Sequence, residues 1–182
     1  MPTNRYSAVA MTLHWIIAIA VIWDWRLADA AEHAPRGQHF AVLQPHFALG
    51  MVILVLTVVR LLWRVAHRPP LLAKHLARWE AFLAHTVHYI FYALLLGLPL
   101  IAWIGTSMMR QPIDFFGLFT IPNLPTPAAR GPGHELTELH GTLGNIMLWL
   151  IVLHVLGALK HQFWDKDGDL YRMLPFGTPR GG

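Results

Sequence analysis

The chain has no cysteine. This excludes disulfides, thiolate metal sites, iron–sulfur clusters and haem attached covalently through a C-x-x-C-H motif. Charge is scarce as well: Asp, Glu, Lys and Arg make up 13% of the 182 residues, about half the share usual in a soluble globular domain. With hydrophobic residues at 55%, a water-facing surface is hard to build, and a bilayer is the simplest solvent. There is no internal repeat and no low-complexity tract. The length leaves no room for a separate soluble module, so residues 1–182 are expected to form one domain. The formal net charge is only +4, and no nucleic-acid partner is expected.

What the chain does have is long uncharged runs. They lie between Arg5 and Asp24, Arg36 and Arg60, Glu80 and Arg110, and Glu138 and Lys160. A spanning helix needs roughly 20 apolar residues to cross about 30 Å of hydrocarbon. Four spans are therefore expected, near 8–27, 42–63, 82–106 and 139–160, giving an all-α four-helix membrane bundle. The run between Asp114 and Arg130 is too short and is broken by Pro122, Pro125 and Pro127, so it reads as a surface loop. Ala28-Asp29-Ala30 after the first run resembles a signal-peptide cleavage site. However, Trp23-Asp24-Trp25-Arg26 stands where small neutral residues should precede it, so the first span is read as retained.

Cytoplasmic loops are enriched in Lys and Arg. Arg5, the 60–78 stretch (Arg60, Arg64, Arg68, Lys74, Arg78) and the tail (Lys160, Lys166, Arg172, Arg180) hold ten of the 14 such residues. Both termini are expected on the cytoplasmic side of a bacterial inner membrane. Trp15, Trp23, Trp25, Trp63, Trp79, Trp103 and Trp164 fall near span ends, as interfacial belts do.

This topology sorts the 12 histidines by depth. His46 and His140 open the second and fourth spans from outside, whereas His14 lies toward the cytoplasm. His154 follows His140 by fourteen residues, about 21 Å deeper on nearly the same helix face. Four intramembrane histidines thus form two pairs at two depths, His46 with His140 and His14 with His154. Polar side chains inside a span are costly and face the bundle interior, where they find partners. Imidazoles from two helices can hold a haem between them as axial ligands. Gly50, Gly144 and Gly157 follow three of these histidines by three or four residues and would leave room for the macrocycle. Taken singly, each glycine reads more readily as a close helix contact. Zinc fits less well, because a pair of histidines without nearby thiolates or carboxylates does not complete its shell.

Thr12-Leu13-His14-Trp15, Pro45-His46 followed by Val58-Val59-Arg60-Leu61-Leu62, His85-Thr86-Val87-His88-Tyr89, and His140-Gly141-Thr142-Leu143 with His154 resemble the bacterial cytochrome b561 family. The likeness runs from about residue 5 to the Met173-Leu174-Pro175 tail. It implies two haem b groups and electron exchange with ubiquinone or another membrane quinone. The family's compact stand-alone members include enzymes that oxidise superoxide at the outer face. Related cytochrome subunits anchor hydrogenases and formate dehydrogenases, and this short chain resembles the stand-alone kind more.

The other polar residues admit two readings each. His85 and His88, opening the third span at the inner level, either face water, replace His14 as ligand, meet a haem propionate or handle protons at a quinone site; His161 shares the ambiguity. Arg60 and Arg64 read first as snorkelling anchors and second as partners of haem propionates. Arg110 or Arg130 would attract an anion such as superoxide to the outer face. His33, His39, His67, His75 and His134 read as solvated, and the Arg110–Gly117 loop as an interfacial cover over the outer haem. Two rival functions stay open: an electron-transfer subunit docked to a dehydrogenase or hydrogenase, and a non-redox transporter lined by histidines.

Overall fold

The computed structural model describes residues 5–35, 37–67, 70, 78–166 and 168–177. Arg36, Arg68, Lys74, His75 and Arg180, used above, lie outside the described residues. Four long helices dominate: α1 (Ala8–Glu32), α2 (His39–Ala66), α3 (Arg78–Met108) and α4 (Arg130–Lys160). All four are long and apolar enough to cross a membrane. Large apolar side chains such as Ile19, Val55, Leu62, Phe82, Trp149 and Leu153 are exposed on their outer faces. In water such a surface would be an aggregation liability; in a bilayer it is the lipid contact.

Each helix outruns its expected span, and α4 does so most, beginning at Arg130 rather than near 139. An uncharged run marks only the part that crosses hydrocarbon, and polar turns continue the helix into the interface. Nine residues add about 13 Å. Pro132 stands in the first turn of α4, where a missing N–H is harmless. Here Gly133 meets Gly105 of α3: a Cβ on Gly105 would lie 2.9 Å from the Gly133 carbonyl oxygen, and one on Gly133 only 2.8 Å from that of Gly105. The two backbones touch, and this contact pins the far ends of α3 and α4 together.

Between α3 and α4 the expected loop contains a short antiparallel hairpin, β1 (Ile113–Phe115) and β2 (Phe119–Ile121). It turns on Phe116 and Gly117, both at positive φ, and leans on the start of α2, where the Asp114 amide donates to Gln44 Oε1 at 2.8 Å. At the other end the termini meet. The Tyr6 amide donates to the Arg172 carbonyl at 3.2 Å, Trp15 Nε1 donates to that of Met173 at 2.8 Å, and Arg5 reaches the carbonyls of Pro175 and Gly177.

The bundle is built as two helix pairs. α1 packs along α2 and α3 along α4, with α2 bridging to α3, while α1 and α4 approach each other far less. Ile17, Val21 and Ile53 form the buried centre, with Ala20, Leu49, Leu56, Leu95, Met147 and Ile151 packed around it.

Candidate cofactor site

Histidines stand at two levels, one on each side of that apolar centre. At the level far from the termini, His46 of α2 faces His140 of α4 with ring centroids 5.7 Å apart and planes at 83°. At the level near the termini, His14 of α1 faces His154 of α4 at 6.4 Å and 76°. All four are half-buried. Two imidazole–metal bonds of roughly 2 Å each, end to end, with the ring radii added, separate centroids by about 6 Å. Both pairs fit that spacing. Along α4, Met147 and Ile151 separate His140 from His154 and join the apolar centre, so an apolar layer divides the two levels.

The ring nitrogens show what each imidazole can offer. His140 Nδ1–H donates to the Leu98 carbonyl at 2.9 Å, and His46 Nδ1–H to the Asp24 carbonyl at 3.1 Å. A ring held this way keeps Nε2 as a free lone pair, the tautomer a metal ligand requires. His14 differs: Arg60 Nη1 donates to its Nδ1 at 3.0 Å, which leaves the ring proton on Nε2, so ligation through Nε2 would require that bond to give way. Arg60 therefore turns into the bundle rather than only toward the surface. Arg64 lies with its guanidinium carbon 6.0 Å from the centre of the Tyr92 ring.

The glycines divide into two kinds. A Cβ built on Gly50, Gly144 or Gly157 meets nothing within 4 Å, so these three are not close-packing glycines. That role belongs to Gly105 and Gly133. Open glycine faces beside paired histidines suit a flat macrocycle, which brings its own equatorial ligands and asks the protein only for axial ones. Among the described residues no three of His, Asp or Glu converge as a shell for a bare ion.

His88 also reaches the near level, its ring 5.8 Å from His154. Unlike His14 it is exposed, and its Nδ1 donates to Ala84 of its own helix at 2.5 Å. His85 is exposed and turned back in the same way onto Ala81 at 2.7 Å. His161 pairs with Asp165, Nδ1 to Oδ2 2.9 Å, beside the Lys160 ion pairs to Glu80 and Asp165. Arg110, at positive φ, donates from Nη2 to the Thr126 carbonyl at 3.0 Å and so ties the far loop together; Arg130 opens α4 with its side chain exposed. Of the histidines read as solvated, His39 Nδ1 donates to Ala31 across the α1–α2 turn, His67 stacks on Trp63 at 3.8 Å, and His33 and His134 pair with Asp29 and Glu138.

One site residue escaped the sequence reading. Asp24 Oδ1 lies 3.1 Å from His46 Nδ1. The signal was present, since an acidic residue ends the first uncharged run at the depth where the second span opens with His46. Run boundaries and charge counts use Asp24 without pairing it to a histidine.

Four helices fit to span a membrane, with histidines facing each other in two pairs, are the arrangement a membrane cytochrome of the b type calls for. The chain belongs to the prokaryotic cytochrome b561 family, whose sequence profile matches residues 5–176. It is accordingly a multi-pass protein of the bacterial inner membrane that binds haem b and transfers electrons. It is similar to the probable superoxide oxidase CybB of Yersinia pestis, 29% identical over 176 residues that cover 94% of this chain and 97% of that one. It is also similar to cytochrome b561 homolog 2 of Escherichia coli K12, 30% identical over 174 residues covering 94% and 92%, and to cytochrome b562 of Cereibacter sphaeroides, 26% identical over 179 residues covering 93% and 94%.

Proposed function

We propose that this chain holds two haem b groups, takes electrons from superoxide at the outer membrane face and delivers them to ubiquinone at the inner face. The observation that carries this reading is the pair of facing histidine couples on either side of the apolar centre. The name of the Yersinia relative supports superoxide as donor. The net reaction balances with two superoxide ions each losing one electron to give dioxygen, and one quinone taking two electrons and two protons. Bound haem supplies the one-electron chemistry.

The protein's own residues supply the rest. His46 and His140 hold the outer group; His14 and His154 hold the inner one, since His14 is half-buried against His154 where His88 is exposed. Gly50, Gly144 and Gly157 keep the space open. Arg60 and Arg64 bring positive charge to the inner level, where cofactor carboxylates need it. His88 and His85 at the rim, and His161 beside Asp165, carry protons toward the quinone. The termini face the cytoplasm, by the Lys and Arg distribution. Arg110 and Arg130 draw the anion toward the outer face; because exposed charges are screened beyond roughly 8–10 Å, only a local cluster counts.

A second reading, a subunit fed by a docked dehydrogenase, is favoured by the hairpin tip, where Phe116, Leu118 and Phe119 are exposed. Family membership sets the non-redox transporter aside. Pulsed superoxide separates the two electron-transfer readings. The stand-alone enzyme reduces its haem and forms quinol without any partner, faster at low salt. Reduction no faster than in an unrelated haem protein would reject superoxide as donor.

A further inference from the structure

The two histidine levels have opposite charges beside them. At the outer level His46 Nδ1 donates to the Asp24 carbonyl at 3.1 Å and also lies 3.1 Å from the Asp24 carboxylate oxygen Oδ1. The carbonyl takes the better-aligned bond, so Oδ1 is buried with no hydrogen bond of its own. His46 and Asp24 side chains are only 12% and 15% exposed, so water screens this charge poorly. The opposite ring, His140, donates to the neutral Leu98 carbonyl. At the inner level the group on the ligand ring is a cation: Arg60 donates to His14 Nδ1 at 3.0 Å. A guanidinium there keeps positive charge at the inner pair whether it meets the imidazole or a cofactor carboxylate.

We infer that Asp24 and Arg60 are positioning residues that bias the two sites in opposite directions, so that electrons run downhill from the outer level to the inner one. A carboxylate on the distal ring nitrogen raises the basicity of a ligating imidazole. It also favours the oxidised, more positive iron through the local field, so Asp24 makes the outer site the harder to reduce. A cation beside the inner pair favours the reduced, less positive iron through its field, so Arg60 makes the inner site the easier. This inference rests on the reading that His46 and His14 are axial ligands.

The test is a potentiometric titration of the visible spectrum of the full-length, haem-loaded protein. The outer haem is identified as the signal that both His46→Ala and His140→Ala remove. In the unsubstituted protein the outer haem titrates at the lower potential. Asp24→Asn keeps both haems and shifts the oxidised-to-reduced ratio of the outer one at least tenfold toward reduced at fixed ambient potential, about 59 mV for a one-electron couple. It alters the ferric resonance spectrum of that haem and leaves the inner one unmoved. Arg60→Gln shifts the inner haem the other way. An outer haem that titrates above the inner one, an Asp24→Asn variant with an unmoved potential, or one that loses the haem altogether would each overturn the inference while leaving the ligand assignment standing. If His46→Ala and His140→Ala remove different haems or none, the ligand assignment itself has failed.

Discussion

A buried imidazole has two nitrogens with different duties, and at the far level the structure separates them. Nδ1 of His46 and of His140 is committed to a backbone carbonyl, which leaves the Nε2 lone pair free for the proposed ligation. The expected consequence is pairwise loss. His46→Ala and His140→Ala remove the same haem, His14→Ala and His154→Ala remove the other, and His85→Ala and His88→Ala keep both, as read by pyridine haemochrome spectra of each purified variant. A protein that keeps two haems as His14→Ala but loses one as His88→Ala would move the inner ligand to α3. The four paired histidines were legible from spacing and depth alone, because a fourteen-residue interval on a helix fixes both height and face. Asp24 and the inward turn of Arg60 were not, because run-counting treats every charge as a border and says nothing about which way it points.

Helices were legible in number and order, since four apolar runs of spanning length admit little else. Their ends were not. The start of α4 at Arg130 lies in a polar, glycine- and proline-bearing stretch that reads locally as loop, and it is helical because tertiary contact with α3 stabilises it. The hairpin at 113–121 was hidden for a related reason: two three-residue strands carry too little pattern to stand out from a loop. The contrast between the two kinds of glycine gives a prediction at this scale. Gly133→Ala forces a Cβ against the Gly105 carbonyl and the Met109 side chain, and overpacking of this kind costs about 1–3 kcal/mol, seen as a lower thermal midpoint with the haem content unchanged. Gly144→Leu enters open space and leaves the apoprotein's midpoint near that of the unsubstituted chain, yet it removes the haem beside His140. Equal behaviour of the two variants would contradict the division.

For the whole molecule, the composition pointed to a bilayer, and the two-pair arrangement is what a membrane cytochrome needs: ligands at two heights with an apolar centre between them. The nature of the donor was less legible. By the Lys and Arg topology the far face carries Arg26, Arg36, Arg110 and Arg130 against Asp24, Asp29, Glu32, Asp114, Glu135 and Glu138, a slightly acidic balance. Arg26 is also paired with Asp29 at 3.4 Å. On the proposed reading, superoxide capture would depend on local positive charge rather than on the field of the whole face. All of this stands on two haems per chain. The direct measurement is the haem-to-protein ratio of the purified, monodisperse protein, taken from its reduced-minus-oxidised spectrum and quantitative amino-acid analysis. The account predicts two b-type haems per chain. A ratio of one in fully loaded, well-folded protein would contradict it.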